Sequence, residues 1–380
     1  MKLGIWATIL ICWAATGAAT GITNVPAQRV SETLETMQAA VLSGDSGAYM
    51  AQIDTDDPKF ATEQRAWITD LSRHPVSEFR IEPLQELITG ITGLAGMMHI
   101  RFHWTLQKDQ IERSIEFNAL FSPMSDEFDG PWLFSGRGWE IKLDDGSGLR
   151  VLADRKHKEL AANVLEIAPG IQRSIEKNLK LTLSEPLAIK IYPTVQELQY
   201  SIAPGYINML SGWNEPGESI KILGRSSISA ERISSLLAHE IGHAVSFEYG
   251  PEIINAPWWS LEGISELVAD EYRSTSTKNR EISIAKQVAR GDRRSWEQLS
   301  DFKGEALDHS MYVYAQGWSM VRHITQRYGK RARNDWFKAM GHGASVQEAT
   351  LKVLKISFDD LDRQWESEML MIAEQTQQAP

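Results

Sequence analysis

The amino-acid sequence predicts an α+β protein: a module of helices followed by a curved sheet, then a larger domain with a small sheet and a mostly helical C-terminal lobe. Three observations predict it. Residues 31–53 and 60–71 carry apolar side chains at helical spacing, residues 76–139 alternate apolar and polar, and the chain beyond Glu262 returns to helical periodicity. At 380 residues the chain is long enough to bury two cores.

Met1-Lys2-Leu3 opens into an apolar run that ends in small residues, the pattern of a secretory leader over residues 1–27, with cleavage after Ala19 or after Ala27. The mature protein is therefore expected to be secreted or extracytoplasmic. Cys12, the sole cysteine, lies inside this run, and Leu10-Ile11 before it lacks the small residue that precedes a lipidated cysteine. The mature chain then has no disulfide and depends on its own packing. No later stretch approaches the roughly 20 apolar residues of a membrane span, so only an uncleaved leader could tether the protein to a membrane.

The first module is expected over 28–150. Leu34, Met37, Ala40 and Val41 share one face of its first helix, and Met98-His99-Ile100-Arg101-Phe102-His103-Trp104-Thr105 alternates as a half-buried strand. The turn-rich stretch Asp144-Asp145-Gly146-Ser147-Gly148 predicts the boundary, and helical periodicity resumes at Arg155 to open a domain over 155–376. Strands are expected at 187–192 and 218–223. Lys plus Arg number 39 against 50 Asp plus Glu, a net charge of −11 that repels phosphate backbones and anionic lipid and argues against a nucleic-acid partner.

The chemistry concentrates at His239-Glu240-Ile241-Gly242-His243. Residues 233–247 are proline-free, apolar on one side, and end at Gly250-Pro251, so the motif sits within a helix. Residues four apart share a helix face, so both imidazoles can address one ion with Glu240 beside it. Residues 257–270 read as a second helix whose first turn carries Glu262. Two histidines and a glutamate are zinc-ligand types, and three protein ligands leave the fourth tetrahedral position open for water, as catalytic sites do. One Zn2+ held by His239, His243 and Glu262 is expected, with Glu240 as general base. Glu266, four residues after Glu262, is placed to accept the distal N–H of a ligand histidine; Asp270, one turn on, competes for that role.

These residues resemble the gluzincin branch of zinc metallopeptidases, especially peptidase-MA-like proteins related to the aminopeptidase N family. The eighteen residues between His243 and Glu262 match the family spacing, and Trp259-Ser260-Leu261-Glu262-Gly263 is similar to its tryptophan–glutamate–glycine signature. Val313-Tyr314-Ala315-Gln316-Gly317 resembles the segment that carries the family's catalytic tyrosine, which implies that Tyr314 stabilises the oxyanion. Tyr312 and His309 stand close enough in sequence to take that role instead. The resemblance spans about 155–374 and implies a zincin domain acting on a peptide or protein substrate, with residues 218–223 as the sheet-edge strand that pairs with extended substrate. It departs at one motif. The family's aminopeptidases carry Gly-x-Met-Glu-Asn to hold a free amino terminus, whereas this chain has Ser211-Gly212-Trp213-Asn214-Glu215. An endopeptidase is thus expected over an aminopeptidase. A non-proteolytic binding or regulatory protein retaining the fold, or a zinc hydrolase of other amides or esters, stays open, as does the oligomeric state.

The first module, by its order of elements, resembles a nuclear-transport-factor-2-like cone. Trp258 and Trp259 could wall a cleft, although packing is the expected role of at least one. His99 and His103 read as core or surface histidines. His74, His157, His323 and His342 have no partner at ligand spacing, and Lys330-Arg331-Ala332-Arg333 reads as a solvated helix start.

Overall fold

The computed structural model describes residues 25–89, 95–124, 130–205, 211–225, 228–301 and 308–378. All but the last three residues of the expected leader lie outside them. Helix α1 (Val25–Ser43) buries Val30, Leu34, Met37, Ala40 and Val41 along one face. The single helix expected over 31–53 breaks at Gly44, whose φ of 72° ends α1, and Asp45 caps a new turn, α2 (Ser46–Met50), by accepting from the Ala48 N–H at 2.9 Å. In α3 (Pro58–Arg73), Asp57 caps the Lys59 and Phe60 N–H groups, and proline occupies the position where no donor is needed.

Strands β1 (Val76–Pro83), β2 (Ile88–Thr89), β3 (Gly96–Leu106), β4 (Glu112–Pro123) and β5 (Trp132–Arg137) form an antiparallel sheet in the order β1-β3-β4-β5, with β2 also pairing with β3. The alternation along β3 places Met98, Ile100, Phe102 and Trp104 in one core with Leu34, Met37, Trp67 and Leu71 of the helices. Register shifts at Val76/Glu78 and Leu120/Phe121 mark irregularities of the kind that bend strands.

A second sheet combines β6 (Ile141–Asp144), β7 (Arg150–Ala153), β8 (Ala188–Tyr192), β9 (Gly212–Trp213) and β10 (Ile220–Leu223) in the order β6-β7-β8-β10-β9. Helices α4 (Lys158–Leu179) and α5 (Val195–Ile202) connect its strands. Two expectations change here. Residues 144–148 are the turn of the β6–β7 hairpin, with Asp144 and Asp145 accepting from the Gly146 and Ser147 N–H groups, so the break between the sheets falls earlier, between β5 and β6. The strand expected to form the sheet edge is interior: β10 pairs with β8 on one side and β9 on the other, and all four of its residues are buried. The edge is β9. A near-continuous apolar run reads as an interior strand, and the one polar side chain in β10, Lys221, is tolerated because Glu218 accepts from it at 2.9 Å.

The helical module is locked onto the second sheet. Glu63 of α3 is buried and ion-pairs with Lys190 of β8 and Lys221 of β10, and its Oε1 accepts from the Ser219 N–H at 3.1 Å. Trp67 Nε1 donates to the Tyr200 carbonyl at 3.0 Å, and the Gly205 N–H to Asp70 at 2.7 Å.

The rest is helical: α6 (Ala230–Ser246), α7 (Trp258–Ala269), α8 (Thr277–Ala289), α9 (Ser310–Gly341), α10 (Val346–Ala349) and α11 (Phe358–Gln378). Helices α6, α7 and α9 meet at glycines. A Cβ on Gly263 would lie 2.4 Å from the Gly317 carbonyl oxygen, one on Gly317 would lie 2.1 Å from that of Trp259, and one on Gly242 would meet Val268 at 2.8 Å. The glycines of two sequence motifs are thus spacers that let backbones touch. The basic run at 330–333 is not wholly solvated, because Arg333 is buried and bonds to Asn178 and Asn334. Among the described residues, no helix is long and apolar enough to cross a membrane.

Candidate metal centre

Ser229 caps α6 through the Arg232 N–H, which fixes where the helix begins and therefore which face carries His239 and His243. Helix α7 has no side-chain cap. Its first N–H groups, at Trp258 and Trp259, donate instead to the carbonyls of Ser300 and Leu299 at 2.9 and 3.2 Å, which seats Glu262 opposite the two histidines.

The three donor atoms converge. His239 Nε2 and His243 Nε2 lie 3.1 Å apart, and Glu262 Oε2 lies 3.2 Å from the first and 3.3 Å from the second. All three residues are buried, and the group could hold a metal ion. An ion bound tetrahedrally at about 2.0–2.1 Å sets its donors about 3.3–3.4 Å apart, so the observed spacing is nearly that of one face of such a site. Two nitrogens and an oxygen suit a borderline first-row ion better than calcium or magnesium, which favour all-oxygen shells.

Each ligand has support behind it. Trp258 Nε1 donates to the other oxygen of Glu262 at 2.8 Å, which turns Oε2 toward the histidines. Glu266 Oε1 lies 3.0 Å from His239 Nδ1, an ion-pair distance at an angle too bent for a good hydrogen bond. Glu266 is itself held by both terminal nitrogens of Arg273, at 2.6 and 2.7 Å, and by Arg280. Asp270 does not compete for His239. It accepts from Trp318 Nε1 at 2.7 Å and faces Arg280.

The electrostatics follow from burial and charge. Burial opposes ionisation of Glu262, but His243 and His239 outweigh it and hold the carboxyl down to about 2. Burial likewise opposes charge on His239, yet Glu262 and Glu266 hold its pKa well above the ordinary histidine value. Histidines must be neutral to bind a cation, so an ion bound here would release protons. Glu240 goes the other way: burial pushes its carboxyl up, Glu262 and Glu266 add to the rise, and His239 and His243 oppose it. A raised carboxyl pKa is what a general base working near neutrality needs.

Beside Glu240 runs the true sheet edge. A Cβ on Gly212 would stand 2.2 Å from Glu240 Oε1, so only glycine at that position of β9 leaves the carboxylate its place. Tyr314 is half-buried, its ring 5.9 Å from that of His239 and 6.3 Å from that of Trp258. Tyr312 points elsewhere, its hydroxyl donating to Asp292 at 2.7 Å beneath the Arg294 guanidinium. His309 packs edge-on against Tyr312.

Sequence reasoning missed Trp258, Gly212, Arg273 and Arg280. Trp258 was findable, since it precedes Glu262 by four on one helix. Gly212 was not, because nothing local announces a contact between residues 28 positions apart in the chain. The other histidines have ordinary partners: His99 bonds Asn118 at 2.9 Å, His74 bonds Asp70 at 3.0 Å, and His103, His157 and His323 pair with Glu112, Asp154 and Glu368. Neither a scan against protein-family models nor a search of curated proteins finds a match for the chain.

Proposed function

We propose that this chain is an exported zinc-dependent peptidase of the gluzincin type, cutting within peptide chains, with a zincin domain behind a cone-like accessory module. The observation that carries the reading is the convergence of His239 Nε2, His243 Nε2 and Glu262 Oε2 beside a buried glutamate with a raised pKa. Bound there, zinc would acidify a water and polarise the scissile carbonyl. The chain's own groups do the rest. Glu240 takes a proton from the attacking water and passes it to the leaving amine, and its position against Gly212 keeps that carboxylate aimed. The Tyr314 hydroxyl donates to the carbonyl oxygen as negative charge grows there. Strand β9, the last of its sheet among the described residues, lies beside Glu240 where an extended substrate would run alongside rather than being held by its amino terminus.

The test is digestion of a peptide library and of peptide pairs differing only by amino-terminal acetylation, using zinc-loaded wild type and Glu240→Gln. Internal cuts indifferent to acetylation, lost in Glu240→Gln while one zinc per chain is retained, are expected. Cutting that acetylation abolishes would make the enzyme an aminopeptidase. A zinc-loaded wild type that cuts nothing would leave a binding protein on a zincin scaffold.

A further inference from the structure

The two modules line a cavity of about 80 Å³ that none of His239, Glu240, His243 and Glu262 borders. Trp67, Phe102, Phe117 and Phe134 reach it from the helical module and its sheet, Tyr192 and Tyr200 from β8 and α5 of the second domain. Half-buried Ile115, Phe117, Arg137 and Ser201 form its rim. At the roughly 10–15 Å³ of centre space that one water occupies, the cavity has room for about six waters, or one aromatic ring with a small substituent.

Its polar groups select against a charged ligand. Lys190 is neutralised by Glu63, and Arg137 by Glu197, the latter guanidinium also lying 4.8 Å over the Trp139 ring. An ionised ligand would have to break one of these pairs or be buried without a counter-charge, and both are unfavourable. The α3 wall adds an amide donor. Gln64 lines the cavity, and its Oε1 is occupied by the Tyr49 hydroxyl at 2.7 Å, while its amide nitrogen has no hydrogen-bond partner among the described residues. Aromatic walls, balanced charges and one free amide donor are the lining of a specific small-molecule site.

We propose that this interdomain cavity binds a small, uncharged aromatic molecule bearing one hydrogen-bond acceptor, stacked among the rings and held by Gln64. The site is independent of peptidase chemistry, and its test reads binding alone. Fluorine NMR of para-fluorophenol titrated with the full chain should show saturable binding, with a Kd on the order of 0.1–1 mM for so small a ligand. Unlabelled para-cresol should displace it, and benzoate should compete at least about tenfold more weakly because its carboxylate finds no free cation. Ile115→Trp, which fills the rim, should abolish binding with the melting temperature retained. Gln64→Glu keeps the acceptor that Tyr49 needs, removes the donor, and should weaken binding about tenfold, so it carries the test if the tryptophan variant fails to fold. No saturable binding up to about 10 mM, equal competition by benzoate and para-cresol, or an unchanged Kd in a folded variant would overturn the proposal.

Discussion

Gly212→Ala is a one-methyl probe of the catalytic geometry. The added Cβ would sit 2.2 Å from Glu240 Oε1, 2.7 Å from its Cδ and 3.0 Å from its Cγ, whereas carbon and oxygen ordinarily approach no closer than about 3.2 Å. The carboxylate must therefore retreat by about 1 Å. Because it is the free end of a flexible side chain, the retreat costs only an off-rotamer torsion of about 0.5–1.5 kcal/mol, and the backbone at 212 has no positive φ to make alanine strained. The melting temperature should fall by no more than about 3 °C. Zinc content should not change, since His239, His243 and Glu262 are untouched. Turnover should suffer far more, because a misplacement of about 1 Å at a reacting group costs on the order of a hundredfold in kcat.

The assay is kcat on an internally quenched peptide, beside zinc analysis and thermal melting on the same preparations. A double-mutant cycle assigns the cause. If the methyl acts by pushing Glu240, then combining it with Glu240→Asp, whose carboxylate is already drawn back by one methylene, should cost little beyond Glu240→Asp alone. A kcat within about threefold of wild type for Gly212→Ala with zinc retained would refute the placement of Glu240 as the base against β9. Full additivity in the cycle would show instead that the methyl disturbs substrate pairing at the sheet edge.

Three further outcomes follow from single contacts. Trp258→Phe keeps the ring and deletes the 2.8 Å donation to Glu262, and should weaken zinc roughly 10–100-fold in a chelator competition; unchanged affinity would remove Trp258 from the site. Tyr314→Phe should lower kcat about a hundredfold with little change in KM, while Tyr312→Phe, whose hydroxyl serves Asp292, should stay near wild type; the reverse pattern would move the oxyanion role to Tyr312. Glu63→Gln should cost about 3–5 kcal/mol at neutral pH by leaving Lys190 and Lys221 without their shared partner. Burial raises the Glu63 carboxyl but Lys190 and Lys221 outweigh it, down to about 2, so the wild-type advantage is whole above 4.5 and disappears as pH falls from there through 2; urea titrations over that range should trace it, and a constant difference would refute the pairing.

The candidate cluster was legible because it is local: His239 and His243 are brought together by helical periodicity, and Glu262 comes from the first turns of the next helix. The α+β order was legible for a similar reason, each element announcing itself by its own period. What the chain did not announce is who neighbours whom across distance. Residues 218–223 have the apolar character of a strand whether they lie inside a sheet or at its rim, and only the pairing of 212–213 outside them decides. Residues 144–148 carry turn chemistry, which marks hairpins and domain boundaries alike. Arg333 sits in a basic run that looks solvated, and its burial depends on Asn178, 155 residues earlier.

Charge balance gives the cluster a physical reason to take a divalent cation. Helices α6 and α7 bring Glu240, Glu262 and Glu266 into one buried region, with half-buried Asp270 just past the end of α7, and burial opposes ionisation of all four carboxylates. Arg273 and Arg280 answer two of them, through Glu266 and Asp270. With both imidazoles neutral, two negative charges remain, on Glu262 and Glu240. Without a cation, Glu262 and Glu266 outweigh burial and drive the His239 pKa up, and burial together with the same two carboxylates drives the Glu240 carboxyl up. A divalent ion at the three donor atoms would supply the missing two charges, favour neutral imidazoles and lower the cost of ionising Glu240. On the proposed function, cation binding and activation of Glu240 would be one electrostatic event. The arginines matter to that balance, because they hold Glu266 behind His239, away from the face where the three donor atoms converge.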